Sequence, residues 1–553
     1  MAKLSQYEIE REANIARNKA LLEQLELKQA VDNLQLEKKP VPKPKAKPVQ
    51  PVKKEKKQDA ETRTTRRSTR LKATVDPTLN PAAKRKREEE IEVERAIAAE
   101  ARIEEEERER QAKRPRHGDL DLSLLVGLDE PEDASTLAKE LSGIPVHPAH
   151  KGIIPQDDET TDAKAEERAT KALEDEFKNV GVLSRAKVTT NRVYCAAYHP
   201  DENKDLIFFG DKAGMLGIWD ATASAEDDTE RSETSEDGKY WRLQLHWPAT
   251  TKSTISSIQF NPTDYHKVFT TSYDCTVRNL DFTTGVSNEL YSSEDILLTS
   301  MDLTPEGHGV WIADNAGGIT HLDIRESKES ARWYQVAEQK IGSISVNPQR
   351  PEFVVTASND RTLKIWDVRN FGKMKSGDTK EFDSGIVQAF TESNTGAGTF
   401  RGEWRHGKSA SSAYWDPRGR RIVSTSYDDI LRVWDFKSSV FESKKEFPSL
   451  RPECQVKHNC QTGRWLTILR ARWSPSVDAH PHFIIGNMDH SLDVRTDKGA
   501  LVAKLQNKNK ISAVQSVVTS HSRRIQRLAT GNASGRCVLW GPKDEVEDEE
   551  AEE

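Results

Sequence analysis

The sequence predicts an all-β fold, a seven-bladed β-propeller, preceded by a long N-terminal region that is largely disordered and partly helical. Two observations carry this reading. A three-strand unit recurs seven times from about residue 190 onward. All twelve tryptophans lie between Trp219 and Trp540, so the first 170 residues lack the bulky side chains needed to bury a large core. A 553-residue chain with 35% hydrophobic and 31% charged residues is poor in core formers on average, and an uneven distribution reconciles that average with a folded domain.

The repeat is clearest in residues 341–369, where IGSISVNP is followed by FVVTASNDRTLKIWDVR. It recurs as VYCAAYHP with LIFFGDKAGMLGIWD, ending at Asp220, and as ISSIQFNP with KVFTTSYDCTVRNLD, ending at Asp281. Further copies are LTSMDLTP with GVWIADNAGGITHLD (to Asp323), SSAYWDP with RIVSTSYDDILRVWD (to Asp435), LRARWSP with FIIGNMDHSLDVR (to Arg495) and ISAVQSVV with RLATGNASGRCVLW (to Trp540). Spacings of about forty to seventy residues suit propeller blades. A lone four-stranded blade is apolar on both faces, and radial stacking buries those faces against neighbours. Asp274, Asp360 and Asp428 suit tight turns, where a carboxylate accepts backbone N–H groups. A strand over 181–188 is expected to join the last blade and close the ring. With Trp-Asp at 219–220, 366–367 and 434–435, the copies resemble the WD-repeat family.

The predicted organisation is a helical arm over 1–36, a basic Lys/Pro/Arg-rich disordered linker over 37–87, a charged helix and disordered segment over 88–175, the propeller over 180–541 and an acidic tail over 542–553. In the linker, Lys43, Lys45 and Lys47 alternate with prolines that fix an extended chain. Arg63, Arg66, Arg67, Arg70 and Lys84-Arg85-Lys86-Arg87 suit a nuclear-import receptor or a DNA backbone; a solvated charge run is the alternative. The acidic tail suits solubility or contact with a basic protein such as a histone. The net charge of -7 requires any nucleic-acid binding to come from local basic patches. Residues 1–10 are charged, and no run of about 18 apolar residues exists, so neither a secretory leader nor a membrane span is expected. Five scattered cysteines make no disulfide framework and fit a reducing compartment.

Four segments of the propeller region stand out. Arg192 precedes VYCAAYHP, Lys212 sits in GDKAGMLG, Lys340 opens KIGSISVNP, and Arg464-Trp465 begins RWLTILRARWSP after His458-Asn459-Cys460-Gln461-Thr462-Gly463. Across about 180–541, with an echo at 7–15, the chain resembles the fungal changed-mutation-rate family of WD-repeat DNA damage-binding proteins, relatives of the small subunit of the damage-specific DNA-binding complex. The resemblance implies that Arg192, Lys212 and Lys340 grip DNA phosphates and that His458, Arg464 and Trp465 belong to a loop entering the minor groove. The relative's Phe-Gln-His tip is replaced here, so the implied wedge is Trp465 beside Arg464. A wedge unstacks a base step at about a few kcal/mol, less at a damaged base. The alternative places Trp465 in a blade core.

The stretch 354–369 resembles the box by which propellers dock onto the large adaptor subunit of cullin ubiquitin ligases, through Trp366, Asp367 and Arg369, with a weaker echo at 322–325. The same residues could merely finish a blade. Two functions are therefore expected from the resemblances. The first is a nuclear, non-enzymatic protein that binds double-stranded DNA, and single-stranded DNA as a further ligand, preferring damaged or distorted duplex. The second is a scaffold or substrate receptor for a cullin ligase or chromatin complex. No phosphate loop, nucleophile elbow or His-Glu metal helix is present, so no cofactor is expected. Cys454, His458 and Cys460 lack the second ligand pair of a zinc site.

Overall fold

The computed structural model describes residues 117–126, 131–144, 163–223, 236–375, 377, 379–443, 447 and 450–543. The expected arm over 1–36, linker over 37–87, charged helix over 88–113 and acidic tail from Asp544 lie outside the described residues.

Seven sheets form seven blades, antiparallel throughout except where Glu381–Phe382 pairs in parallel with the outer strand of blade 3. Blade 1 spans 193–244, blade 2 255–292, blade 3 298–335, blade 4 341–405, blade 5 410–457 and blade 6 472–505. Blade 7 takes three strands from 515–542 and its outer strand, Val180–Ala186, from the N-terminal side. That strand pairs Gly181 with Gly541 and Ala186 with Cys537, so the ring closes where the sequence places the closure. The first strands of successive blades pack on one another around the axis. Between blades the large side chains fill the walls: Trp219, Trp434, Trp540, Phe208, Phe269 and Phe353 are fully buried.

The turn joining the second and third strands follows one of two related plans, with the acceptor three residues before the left-handed residue in blades 1, 3 and 7 and one residue before it in blades 2, 4, 5 and 6. A side-chain oxygen at its start accepts a backbone N–H further along: Asp211 from Ala213 (2.7 Å), Asp274 from Thr276 (3.0 Å), Asp314 from Ala316 (2.7 Å), Asp360 from Thr362 (2.8 Å), Asp428 from Ile430 (3.2 Å), Asp489 from Ser491 (3.2 Å) and Asn532 from Ser534 (2.9 Å). Each turn then needs one left-handed residue. Blades 1, 3 and 7 use Gly214, Gly317 and Gly535, whereas blades 2, 4, 5 and 6 place Cys275, Arg361, Asp429 and His490 there.

The reading of 88–175 as a charged helix and disordered segment is corrected over its described parts. Leu120–Asp121 adds a strand to blade 2, pairing Leu120 with Ser287. Leu120, Leu122, Leu125, Leu137, Leu141 and Ile144 share a buried cluster with Phe208, Trp241 and Phe282 of the propeller. Arg278 donates to the Gly118 carbonyl (3.0 Å), and His266 Nε2 lies 2.6 Å from the Ile144 carbonyl. The helix Ala163–Phe177 buries Leu173 and Phe177 with Leu505 and Ile511, beside blades 6 and 7. These apolar residues are too sparse to form a core alone. The blade walls supply the other half, at about 1.5–3 kcal/mol for each side chain fully buried.

Candidate functional site

One end of the ring collects the loops that enter the first strands together with the turns just described, because blades 1 to 5 bond the two. Lys212 N donates to Arg192 O (2.9 Å), Tyr273 N to Thr254 O (3.0 Å), Asn359 N to Lys340 O (2.9 Å) and Tyr427 N to Ser409 O (3.0 Å). This topology brings Arg192, Lys212 and Lys340 to one end.

Two of these cations are held by tyrosines. Lys340 Nζ donates to the Tyr273 hydroxyl (2.8 Å) and stands 5.0 Å from its ring centroid. Arg192 lies 5.1 Å from the Tyr194 ring and donates through Nη2 to its hydroxyl (3.3 Å). The two rings meet edge to face at 6.4 Å, which links blades 1, 2 and 4. Burial pushes the Tyr194 phenol up, and Tyr273 adds to the shift, so Tyr194 stays neutral at physiological pH. None of Arg192, Lys212 and Lys340 has a carboxylate within ion-pair distance among the described residues. Ring faces orient a cation without neutralising it.

The loop over 458–471 crosses the mouth of the ring. Thr467 Oγ1 donates to Val193 O in blade 1 (2.5 Å), Arg470 Nη2 to Gly342 O in blade 4 (3.3 Å), and Ala471 N to Thr425 Oγ1 in blade 5 (3.0 Å). Arg192 Nη1 donates to Arg464 O (2.9 Å), fastening the outer part of the loop to the cation cluster. Leu466 and Leu469 pack inward. Gly463 turns the chain with φ +61°, and its missing Cβ would point into open space. Arg464 is exposed, and Trp465 is 86% exposed, which excludes a blade-core role. No other tryptophan is exposed.

His458 does not join this set. It is 5% exposed, with Nε2 3.0 Å from the Gly486 carbonyl and Nδ1 3.9 Å from Asp493. Burial depresses its pKa. It follows the strand Cys454–Lys457 and turns into the wall between blades 5 and 6, so it has no face for a ligand. Cys460 is also buried, with its thiol pushed up to about 12.

Sequence reasoning missed Tyr194 and Tyr273. The signal was available for Tyr273, because TSYD occurs at 271–274 and again at 425–428, placing a tyrosine beside the turn aspartate in blades 2 and 5. It also missed Arg472, whose guanidinium lies 3.8 Å from the Tyr414 ring, and half-buried Asp302, whose carboxyl desolvation raises to about 6 against the opposing pull of backbone N–H groups and Arg472.

Trp366, Asp367 and Arg369 lie at the opposite end, where third strands finish: Val368 N donates to Glu352 O (2.8 Å) in the turn between the first two strands. Trp366 is buried. Asp367 accepts from Arg369 Nε (2.9 Å) and Nη2 (2.5 Å), and buried Arg401 Nη1 is 3.6 Å from the same carboxylate. Arg369 keeps 57% of its side chain exposed. Blade 3 repeats the device, with Arg325 Nη2 2.5 Å from Asp323.

Among the described residues, no group of three His, Cys, Asp or Glu side chains could hold a metal ion, and no helix is long and apolar enough to cross a membrane.

Comparison with known proteins agrees with this architecture. The family model "WD domain, G-beta repeat" matches residues 335–367 and 398–435. The chain is 37% identical over 464 residues to a DNA damage-binding protein CMR1 of Cryptococcus neoformans, covering 74% of this chain and 77% of that one. It is 30% identical over 537 residues to the protein of that name from Mycosarcoma maydis, covering 77% and 83%. A Neurospora crassa relative is 34% identical over 371 residues, covering 64% and 65%. With seven blades closed by an N-terminal strand and this extent of identity, the chain belongs to the family of WD-repeat propellers named DNA damage-binding protein CMR1.

Proposed function

We propose that this protein binds duplex DNA at the end of the ring carrying Arg192, Lys212 and Lys340, prefers damaged or distorted duplex, and acts in the nucleus as a non-catalytic binding protein. One observation carries the reading: an indole left almost wholly in water, on a loop fastened to a cluster of cations that lack carboxylate partners. A fully buried large side chain contributes about 1.5–3 kcal/mol, and Trp465 forgoes that in the free protein. Inserted at a base step, it would recover that burial, and the step opens more readily where stacking is already impaired. The cations supply sequence-independent attraction to phosphates. The name of these relatives, DNA damage-binding protein, supports the same ligand.

The test is fluorescence anisotropy of the full chain on intact, ultraviolet-irradiated and mismatched duplexes over a salt series. Tighter binding to the damaged or mismatched duplex, lost in Trp465→Ala, is the expected result. Equal binding to all three would leave a general DNA binder, and no binding at low salt would remove DNA as the ligand.

A second reading rests on Arg369 and Arg325. Each is held outward by its own aspartate at the opposite end, a disposition that suits docking of a protein partner such as a cullin-ligase adaptor or a chromatin protein. The two ends are separate, so both partners could be held at once.

A further inference from the structure

Blade 4 departs from glycine at its turn with an arginine. Arg361 has φ +77°, a left-handed backbone that strains an L side chain and that glycine adopts freely in three sister blades. Cys275, Asp429 and His490 share the strain, but Arg361 is the one cation at this position. Its side chain is exposed and has no ion pair or hydrogen bond among the described residues.

Two more cations stand beside it. Thr362 pairs with Arg405 at the end of the blade's outer strand, which brings Arg405 next to Arg361. Lys408 lies in the short connection to blade 5. All three line one open cavity of about 410 Å3 between blades 4 and 5, with Asn359, Ser409 and Tyr427. Neither Arg405 nor Lys408 has a carboxylate partner among the described residues. Two carboxylates belong to the same wall. Asp360 is committed to the turn, accepting from Thr362 N (2.8 Å), Thr362 Oγ1 (2.6 Å) and Glu338 N (3.3 Å). Glu338 is exposed, and with the Asp360 carboxylate in the turn it offsets two of the three positive charges, so the cavity wall is positive by one.

The cavity is joined to the features already described. Asn359 N is bonded to Lys340 O, so Arg361 and Lys340 sit on one stapled unit. On the other side the Tyr427 hydroxyl lies 3.2 Å from Thr462 Oγ1, and Gln461 Nε2 donates to Tyr427 O (2.8 Å). Both partners belong to the loop that presents Trp465.

The geometry points to a further phosphate-binding site formed by Arg361, Arg405 and Lys408, which takes the sugar-phosphate backbone of the same duplex beyond Lys340. The inference rests on the DNA reading above. The site lengthens the cation track from blades 1 and 4 to the junction of blades 4 and 5. It also gives the strained arginine a purpose, since two guanidiniums with one ammonium can share phosphate oxygens along a backbone.

The experiment uses the full chain and a labelled intact duplex over a salt series, with three proteins beside the wild type: Arg361→Gly, the triple variant Arg361→Gly/Arg405→Gln/Lys408→Gln, and Arg192→Glu/Lys212→Glu/Lys340→Glu. The triple variant is expected to bind about tenfold or more weakly at physiological salt, with a log–log salt slope shallower by about two to three. Arg361→Gly relieves strain, so it is expected to melt no lower than wild type while binding about threefold more weakly, a loss no folding defect explains. Wild-type affinity and slope in the triple variant, with binding abolished in the charge-reversed one, would overturn this site and leave the DNA reading standing. Absence of wild-type binding at low salt would overturn both.

Discussion

The cations singled out at the two ends of the ring are held differently, although Lys504 with Asp489 and Arg432 with Asp428 form ion pairs at the turns of blades 6 and 5 as well. At the end where third strands finish, Arg325, Arg369, Arg420, Arg523 and Arg524 each touch a carboxylate of the same chain. At the other end, Arg192, Lys212, Lys340, Arg361, Arg405, Lys408 and Arg464 have none within ion-pair distance among the described residues. Exposed ion pairs contribute little to stability, about 0–1 kcal/mol, so pairing mainly fixes where a side chain points. An unpaired set, by contrast, raises the local positive potential and lowers stability slightly through self-repulsion. On the function proposed above, the unpaired set suits an anion from outside and the oriented arginines suit a protein partner.

The largest expected effect breaks the unpaired end. Reversing Arg192, Lys212 and Lys340 to Glu should weaken DNA binding on the order of a hundredfold or more at moderate salt, with circular dichroism unchanged. Partner capture through Arg369 should survive, because that residue lies at the other end.

Next comes a comparison of two tryptophans. Trp434→Ala empties a fully buried wall site and should lose about 3–5 kcal/mol in a denaturant titration. Trp465→Ala removes a side chain that is 86% exposed, and should change stability by less than about 0.5 kcal/mol while abolishing damage preference. Equal destabilisation by the two would mean that Trp465 is a packing residue.

The smallest effect sharpens the contrast from the paired end. Asp323→Asn frees Arg325 without adding it to the track, so DNA affinity should stay within about twofold and thermal melting should hardly move. Hydrogen bonding from Arg325 holds the Asp323 carboxyl down to about 2, below its ordinary 3.8. Pairing there is therefore present at neutral pH and lost only as pH falls through about 2. A gain in DNA affinity in this variant would show that unpairing alone, rather than position on the ring, makes a DNA contact.

The fold was legible because repetition multiplies a weak signal. One copy such as LTSMDLTP means little, but seven in register fix the blades, and the strand near 181–188 follows from the need to close them. The binding end was legible in part. Arg192, Lys212 and Lys340 occupy loop and turn positions, which the repeat pattern places at one end. His458 was misread because proximity in sequence to Trp465 says nothing about direction, and the chain turns inward at the residue after Lys457. Arg361 was hidden for another reason. In SNDRTLK it looks like any polar turn residue, and its left-handed backbone is a property of the folded turn alone. The clasp at 117–144 was missed because Leu120, Leu122, Leu137 and Leu141 find their partners on the blade walls, at a distance that local composition does not register.

The most direct measurement places 2-aminopurine beside a mismatch in a duplex and follows its fluorescence as the full chain binds. The account predicts a rise on binding wild type, as Trp465 enters and the base unstacks, and no rise with Trp465→Ala at matched occupancy. An equal rise with both proteins, or saturated wild-type binding with no rise, would contradict the claim that this end opens DNA around Trp465.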